Sequence, residues 1–227
     1  VKSKVYVALD QTDWKDIERL TLALKGSGCG MKVGMELFYA HGPKAVNFIH
    51  SHGFSVFLDL KLHDIPTTVG KAMSNLLQLP AALYNVHVAG GTQMMRMAAK
   101  ALNDSGCKDV RLIAVTQLTS TTEEMMQKEL RIPGSLIECV TSYAKLAHDA
   151  GLHGVVCSAQ EATAIKLVCG SKFLCVTPGI RPPGGDAHDQ KRLMTPVDAL
   201  RSGADYLVVG RAITQASDPA RALEELF

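Results

Sequence analysis

Short, nearly all-apolar runs recur along this chain, and each gives way to a longer stretch with helical spacing. Val5-Tyr6-Val7-Ala8-Leu9-Asp10 is a β-branched run closing on an acid, and Ile17, Leu20, Leu22 and Leu24 follow it at helical intervals. Gly30-Met31-Lys32-Val33-Gly34 predicts a second strand, followed by a helix after Gly42-Pro43 that carries Val46 and Ile49. The unit then repeats. Strand 54–61 precedes a helix from about 67 to 79, strand 83–88 a helix over 92–103, and strand 110–115 a helix over 135–150. Three more pairs follow: strand 154–158 with helix 160–168, strand 173–178 with helix 195–203, and strand 206–210 with helix 219–226. Thr195-Pro196 and Asp218-Pro219 read as N-cap-plus-proline starts for the last two helices.

Strands apolar on both faces belong to parallel sheets covered on both sides. Eight strand–helix units without a composition break predict an α/β fold, a single (β/α)8 barrel running over residues 1–227 as one catalytic domain. An open doubly wound sheet is the alternative. It lacks its glycine fingerprint here: Gly26-Ser27-Gly28-Cys29-Gly30 fails the G-x-G-x-x-G spacing and precedes a strand instead of following one.

Composition narrows the partners. With 47% apolar and 20% charged residues among 227, the chain reads as a soluble globular protein. A net charge of +2, with scattered Lys and Arg, argues for neither a nucleic-acid nor a membrane surface. Six widely spaced cysteines form no C-x-x-C pair and read as free, mostly buried thiols. With no signal-like start and no run of eighteen apolar residues, a reducing cytoplasm is the expected setting.

The chemistry gathers where strands end. In Phe54-Ser55-Val56-Phe57-Leu58-Asp59-Leu60-Lys61-Leu62-His63-Asp64-Ile65-Pro66, strand alternation turns Asp59 and Lys61 to one face and Leu58, Leu60 and Leu62 to the other. A strand-end ion pair is often only a salt bridge. Asp64 adds a second acid, and acids beside one amine keep it protonated, each attraction being about 4 kcal/mol at ~4 Å and an effective dielectric near 20. Asp10, Lys32, Thr119, Arg181 and Arg211 lie at other predicted strand ends, the face on which barrels build active sites. Pro178-Gly179-Ile180-Arg181 and Val209-Gly210-Arg211 each offer a glycine for close approach and an arginine, in the loops where barrels hold phosphate. Thr119, Ser120 and Gln190 lie on the two longer loops, which read as lids. His50 and His52 stand two apart on a predicted helix and make a poor metal pair, and His63 and His87 lack ligand spacing.

Taken together, Ala8-Leu9-Asp10, Lys32-Val33-Gly34, Asp59-x-Lys61-x-x-Asp64, Pro178-Gly179-Ile180-Arg181 and Val209-Gly210-Arg211 closely resemble the orotidine 5′-phosphate decarboxylase family, and the likeness runs from the first strand to the last helix. The resemblance implies loss of carbon dioxide from orotidine 5′-phosphate to give uridine 5′-phosphate in pyrimidine biosynthesis, with no cofactor and no metal. It implies Lys61 as proton donor to C6, flanked by Asp59 and Asp64, with Lys32 completing the charged array and Asp10 holding the ribose. Substrate contacts are implied for Ile65, Thr68, Thr119, Pro178, Arg181, Gln190, Gly210 and Arg211, within a homodimer whose Asp64 and Thr68 serve the neighbouring site. Sibling barrels that resemble magnesium-using sugar-phosphate decarboxylases and hexulose phosphate synthases are the nearest alternative; they would carry an acid at the position of Lys32. Lys61 as a Schiff-base nucleophile and a non-catalytic phosphate sensor are the others.

Overall fold

In the computed structural model, which describes residues 1–181 and 194–227, the eight expected strands close into one parallel barrel in chain order. They are β1 (Val5–Leu9), β2 (Gly30–Gly34), β3 (Val56–Leu62), β4 (Leu83–His87), β5 (Arg111–Val115), β6 (Gly154–Val156), β7 (Leu174–Thr177) and β8 (Tyr206–Val209). Pairing of Tyr6 with Val208 and Val7 with Val209 joins the last strand to the first, so no sheet edge is left open. The helices on the outside are α1 (Trp14–Leu24), α2 (Met35–His41), α3 (Pro43–Ser51), α4 (Pro66–Leu76), α5 (Gly91–Ser105), α6 (Glu123–Lys128), α7 (Leu136–Asp149), α8 (Ala162–Cys169), α9 (Pro196–Arg201), α10 (Arg211–Thr214) and α11 (Pro219–Glu224).

Strand alternation sorts the apolar residues into two layers. Val5, Val7 and Leu9 of β1 and Val56, Leu58 and Leu60 of β3 pack outward against the helices, in the main core. Tyr6, Ala8, Phe57, Leu83, Ile113, Val176 and Val208 fill the barrel interior instead. Following the inward positions toward the strand ends, apolar groups give way to charge: Ala8 to Asp10 and Phe57 to Asp59. The lower interior is thus a packed plug, and only its upper end is polar.

The local signals explain the helix boundaries. Thr195 and Asp218 cap α9 and α11, each accepting a backbone N–H three residues on, and a proline follows each cap. Ser135 and Glu138 form a reciprocal capping box at the start of α7. Three short helices, α2, α6 and α10, are not expected from the pattern; at 7, 6 and 4 residues they are too short to show a clear apolar period. The expected helix over 160–168 opens as a 3₁₀ turn, Ala159–Glu161, before α8. All six cysteines are free, and Cys29, Cys139, Cys157 and Cys175 are buried. Among the described residues no helix is long and apolar enough to cross a membrane.

Candidate active site

The strand ends converge on a cavity of about 640 Å³ whose floor is the charged upper end of the barrel interior. Asp10, Lys32, Asp59, Lys61, Thr119, Pro178, Arg181, Gly210 and Arg211 all line it, so nine of the expected site residues meet there. Gln190 lies outside the described residues.

Across the floor the charges alternate in sign. Lys32 Nζ stands 3.2 Å from Asp10 Oδ1 and 3.3 Å from Asp59 Oδ2, and Lys61 Nζ donates to Asp59 Oδ1 at 2.8 Å. Exposure falls inward, from 55% for the Asp10 side chain and 26% for Lys61 to 10% for both Lys32 and Asp59. Burial alone would push the Asp59 carboxyl up; the Lys32 and Lys61 charges, with hydrogen bonds from Lys61 and Asn85, more than reverse this and hold it below its ordinary value. Burial would likewise lower the Lys32 amine, but Asp59 and Asp10 raise it above the ordinary lysine value. Both therefore stay charged at neutral pH.

The close fit is made possible by glycine. A Cβ on Gly34 would stand 2.9 Å from Lys32 Nζ and 3.5 Å from Asp10 Oδ1, so any side chain there would push into the bridge. Gly210 brings its backbone alongside Asp10, where a Cβ would stand 3.7 Å from Oδ2.

The Asp59–Lys61 contact is not made by a regular strand. Leu58 pairs with Tyr84 and Leu62 with Val86, so the register between β3 and β4 shifts across Asp59, Leu60 and Lys61. Within this irregularity Lys61 has φ +52°, a left-handed conformation whose cost for a non-glycine residue is about 1–3 kcal/mol. Asn85 compensates: its Oδ1 accepts the Lys61 backbone N–H at 2.8 Å and its Nδ2 donates to Asp59 Oδ1 at 2.6 Å. Asn85 was not anticipated from sequence. Its signal was an amide in the middle of the otherwise apolar run Leu83-Tyr84-Asn85-Val86.

Asp64, Ile65 and Thr68 are not brought into this chain's cavity. Asp64 is exposed and accepts the Ile65 N–H at 2.6 Å, and Ile65, 64% exposed, presents an apolar side chain to solvent beside it. Among the described residues of one chain, Asp59 is the acid within hydrogen-bond distance of Lys61 Nζ. His63 and His87 stack with ring centroids 5.5 Å apart; burial, then the His63 and Lys61 charges, hold the His87 imidazole below its ordinary pKa. Among the described residues, no three of His, Cys, Asp and Glu are grouped so as to hold a metal ion.

A family profile described as the orotidine 5′-phosphate decarboxylase / HUMPS family matches residues 3–226 of the chain. The chain belongs to that family. It is 51% identical over 223 residues to an orotidine 5′-phosphate decarboxylase of Geobacillus kaustophilus, covering 97% of this chain and 91% of the relative. The orotidine 5′-phosphate decarboxylase of Streptococcus suis is 56% identical over 189 residues, 83% of this chain and 80% of the relative. The crystal structure of the Lactobacillus acidophilus orotidine 5′-phosphate decarboxylase superposes with a TM-score of 0.86 at 37% identity, covering 98% of this chain and 96% of that one. With these family members the chain is a decarboxylase, a carboxy-lyase.

Proposed function

We propose that this decarboxylase converts orotidine 5′-phosphate to uridine 5′-phosphate and carbon dioxide without a cofactor, and that the Lys61 ammonium is the proton donor. The observation that carries the reading is the Lys61 Nζ held 2.8 Å from Asp59 at the cavity floor, next to the Asp59–Lys32–Asp10 array. When the C6–carboxylate bond breaks, its electron pair stays on C6 with little resonance relief. A cation fixed where that charge develops stabilises the transition state more than the ground state. The pair then takes a proton from Lys61 Nζ. Carbon dioxide leaves, and uridine 5′-phosphate is complete.

In this reading Arg181 and Arg211 grip the phosphate and Asp10 holds the ribose; that all three line the cavity supports it. Thr119, Pro178, Gly210 and, on the segment outside the described residues, Gln190 complete the substrate contacts. Asp64, Ile65 and Thr68 serve the neighbouring site of a homodimer in this reading; their position off the chain's own cavity, with Ile65 exposed, supports it. Its partners are then a nucleotide and a second copy of itself, in the cytoplasm, with no role for nucleic acid or membrane.

The magnesium-using siblings are disfavoured by Lys32. Its ammonium occupies the space between Asp10 and Asp59, and a divalent cation there would face a fixed positive charge. The test is loss of orotidine 5′-phosphate absorbance with purified protein in a strong chelator, beside Lys61→Ala. Turnover in the parent and a fall of at least ~10³-fold in the variant is expected; an inactive parent that recovers with magnesium and a sugar phosphate would reverse the assignment.

A further inference from the structure

Asn85 stands at the one place where β3 and β4 lose register. Asp59, Leu60 and Lys61 all lie between the pairs Leu58–Tyr84 and Leu62–Val86, and on β4 only Asn85 lies between them. Three hydrogen bonds close a ring there: Lys61 N–H to Asn85 Oδ1, Asn85 Nδ2 to Asp59 Oδ1, and Lys61 Nζ to that same Asp59 oxygen. The amide has only one usable orientation, because a carboxylate only accepts and a backbone N–H only donates. Asn85 is 1% exposed and does not line the cavity, so it acts on substrate through Lys61 and Asp59 and not by contact.

We propose that Asn85 is a positioning residue for the decarboxylation: its carboxamide holds the β3 irregularity, with Lys61 left-handed, and so fixes the direction in which the Lys61 ammonium enters the cavity. The inference rests on Lys61 being the proton donor. An aspartate at this position would keep the acceptor for the Lys61 N–H but set a carboxylate against Asp59. An alanine would take the acceptor from the Lys61 N–H and one of its donors from Asp59 Oδ1, in a buried place.

The test compares Asn85→Ala, Asn85→Ser and Asn85→Asp with the parent and with Lys61→Ala in the full-length protein. Thermal melting accompanies each, so that a folding defect in one variant leaves the others to decide. For the alanine and serine variants kcat should fall on the order of 10²-fold, as expected for a misplaced catalytic group. The KM for orotidine 5′-phosphate and the affinity for uridine 5′-phosphate should stay within about threefold, since the ground-state contacts are untouched. Asn85→Asp should lose as much in kcat and move the acid limb of its pH profile upward. A lower melting temperature with parental kcat would overturn the positioning role, as would a loss confined to KM. If Lys61→Ala is inactive while the Asn85 variants turn over normally, only the Asn85 proposal fails; if Lys61→Ala turns over normally, the proton-donor reading itself fails.

Discussion

Lys32 Nζ lies 3.3 Å from Asp59 Oδ2, and each of these side chains is only 10% exposed. Two opposite charges so far from water hold one another in place, and each depends on the other for its ionised state. Replacing Lys32 by methionine keeps the volume and removes the cation, leaving Asp59 and Asp10 to face each other with only Lys61 as counterion. We expect a loss of about 3 kcal/mol of stability, the usual cost of stranding one buried charge. Urea unfolding of Lys32→Met against the parent measures it, and an unchanged midpoint would mean the array is well hydrated.

The same pair sets a window of pH. Asp59 has its folded pKa below the ordinary 3.8, so its contribution to stability is present above that value and is lost as pH falls through the lower, folded one. Lys32 has its folded pKa above the ordinary 10.5, so its contribution is complete below 10.5 and is lost as pH rises through the higher, folded value. Between about pH 5 and 9 the array should add no slope to stability. Lys32→Met should flatten the alkaline loss expected of the parent, and Asp59→Asn the acid one. Chemical denaturation across pH decides: an array-dependent slope near neutrality would show that the pair titrates there.

The order of the barrel was legible because strands buried on both faces must be apolar throughout, and eight such runs stand out. The Asp59–Lys61 pair was legible for a related reason, since residues two apart on a strand share a face. What makes that pair work was not. The register shift at β3 and the left-handed Lys61 arise from pairing with β4, a neighbour whose alignment no local pattern encodes. By that local pattern Asn85 is one more strand residue. Asp64 shows the limit of the same local pattern: it stands three residues from Lys61 in sequence, but the chain turns at Asp64-Ile65-Pro66 and leaves the carboxylate outside the chain's own cavity, and one chain's sequence does not say which site it faces.

Gly34 offers a way to disturb the array without removing a charge. Its φ of −88° and ψ of −177° suit any residue, so alanine brings no backbone strain. The added methyl would meet Lys32 Nζ at 2.9 Å, and the ammonium must shift away from Asp10 or Asp59. Gly34→Ala should fold with a melting temperature close to the parent's and lose at least about tenfold in kcat, because a displaced charge stabilises a developing anion less well. Parental turnover in this variant would show that Lys32 does not need its place between the two acids.

Arg211 begins α10 immediately after Gly210 and lines the cavity. If it grips the phosphate, its worth should vanish when the phosphate is absent. For orotidine 5′-phosphate, Arg211→Ala should lower kcat/KM by about 10- to 10²-fold, the range of a charge-assisted hydrogen bond of about 1.5–3 kcal/mol. For the unphosphorylated nucleoside the parent and the variant should react alike. Binding energy gathered at the phosphate also helps to close the site and orient C6, so the nucleoside should turn over more slowly even at saturation. Steady-state kinetics of both proteins with both substrates form a double-mutant cycle. Equal losses for nucleotide and nucleoside would place the Arg211 contribution elsewhere in the site and remove it from the phosphate contacts.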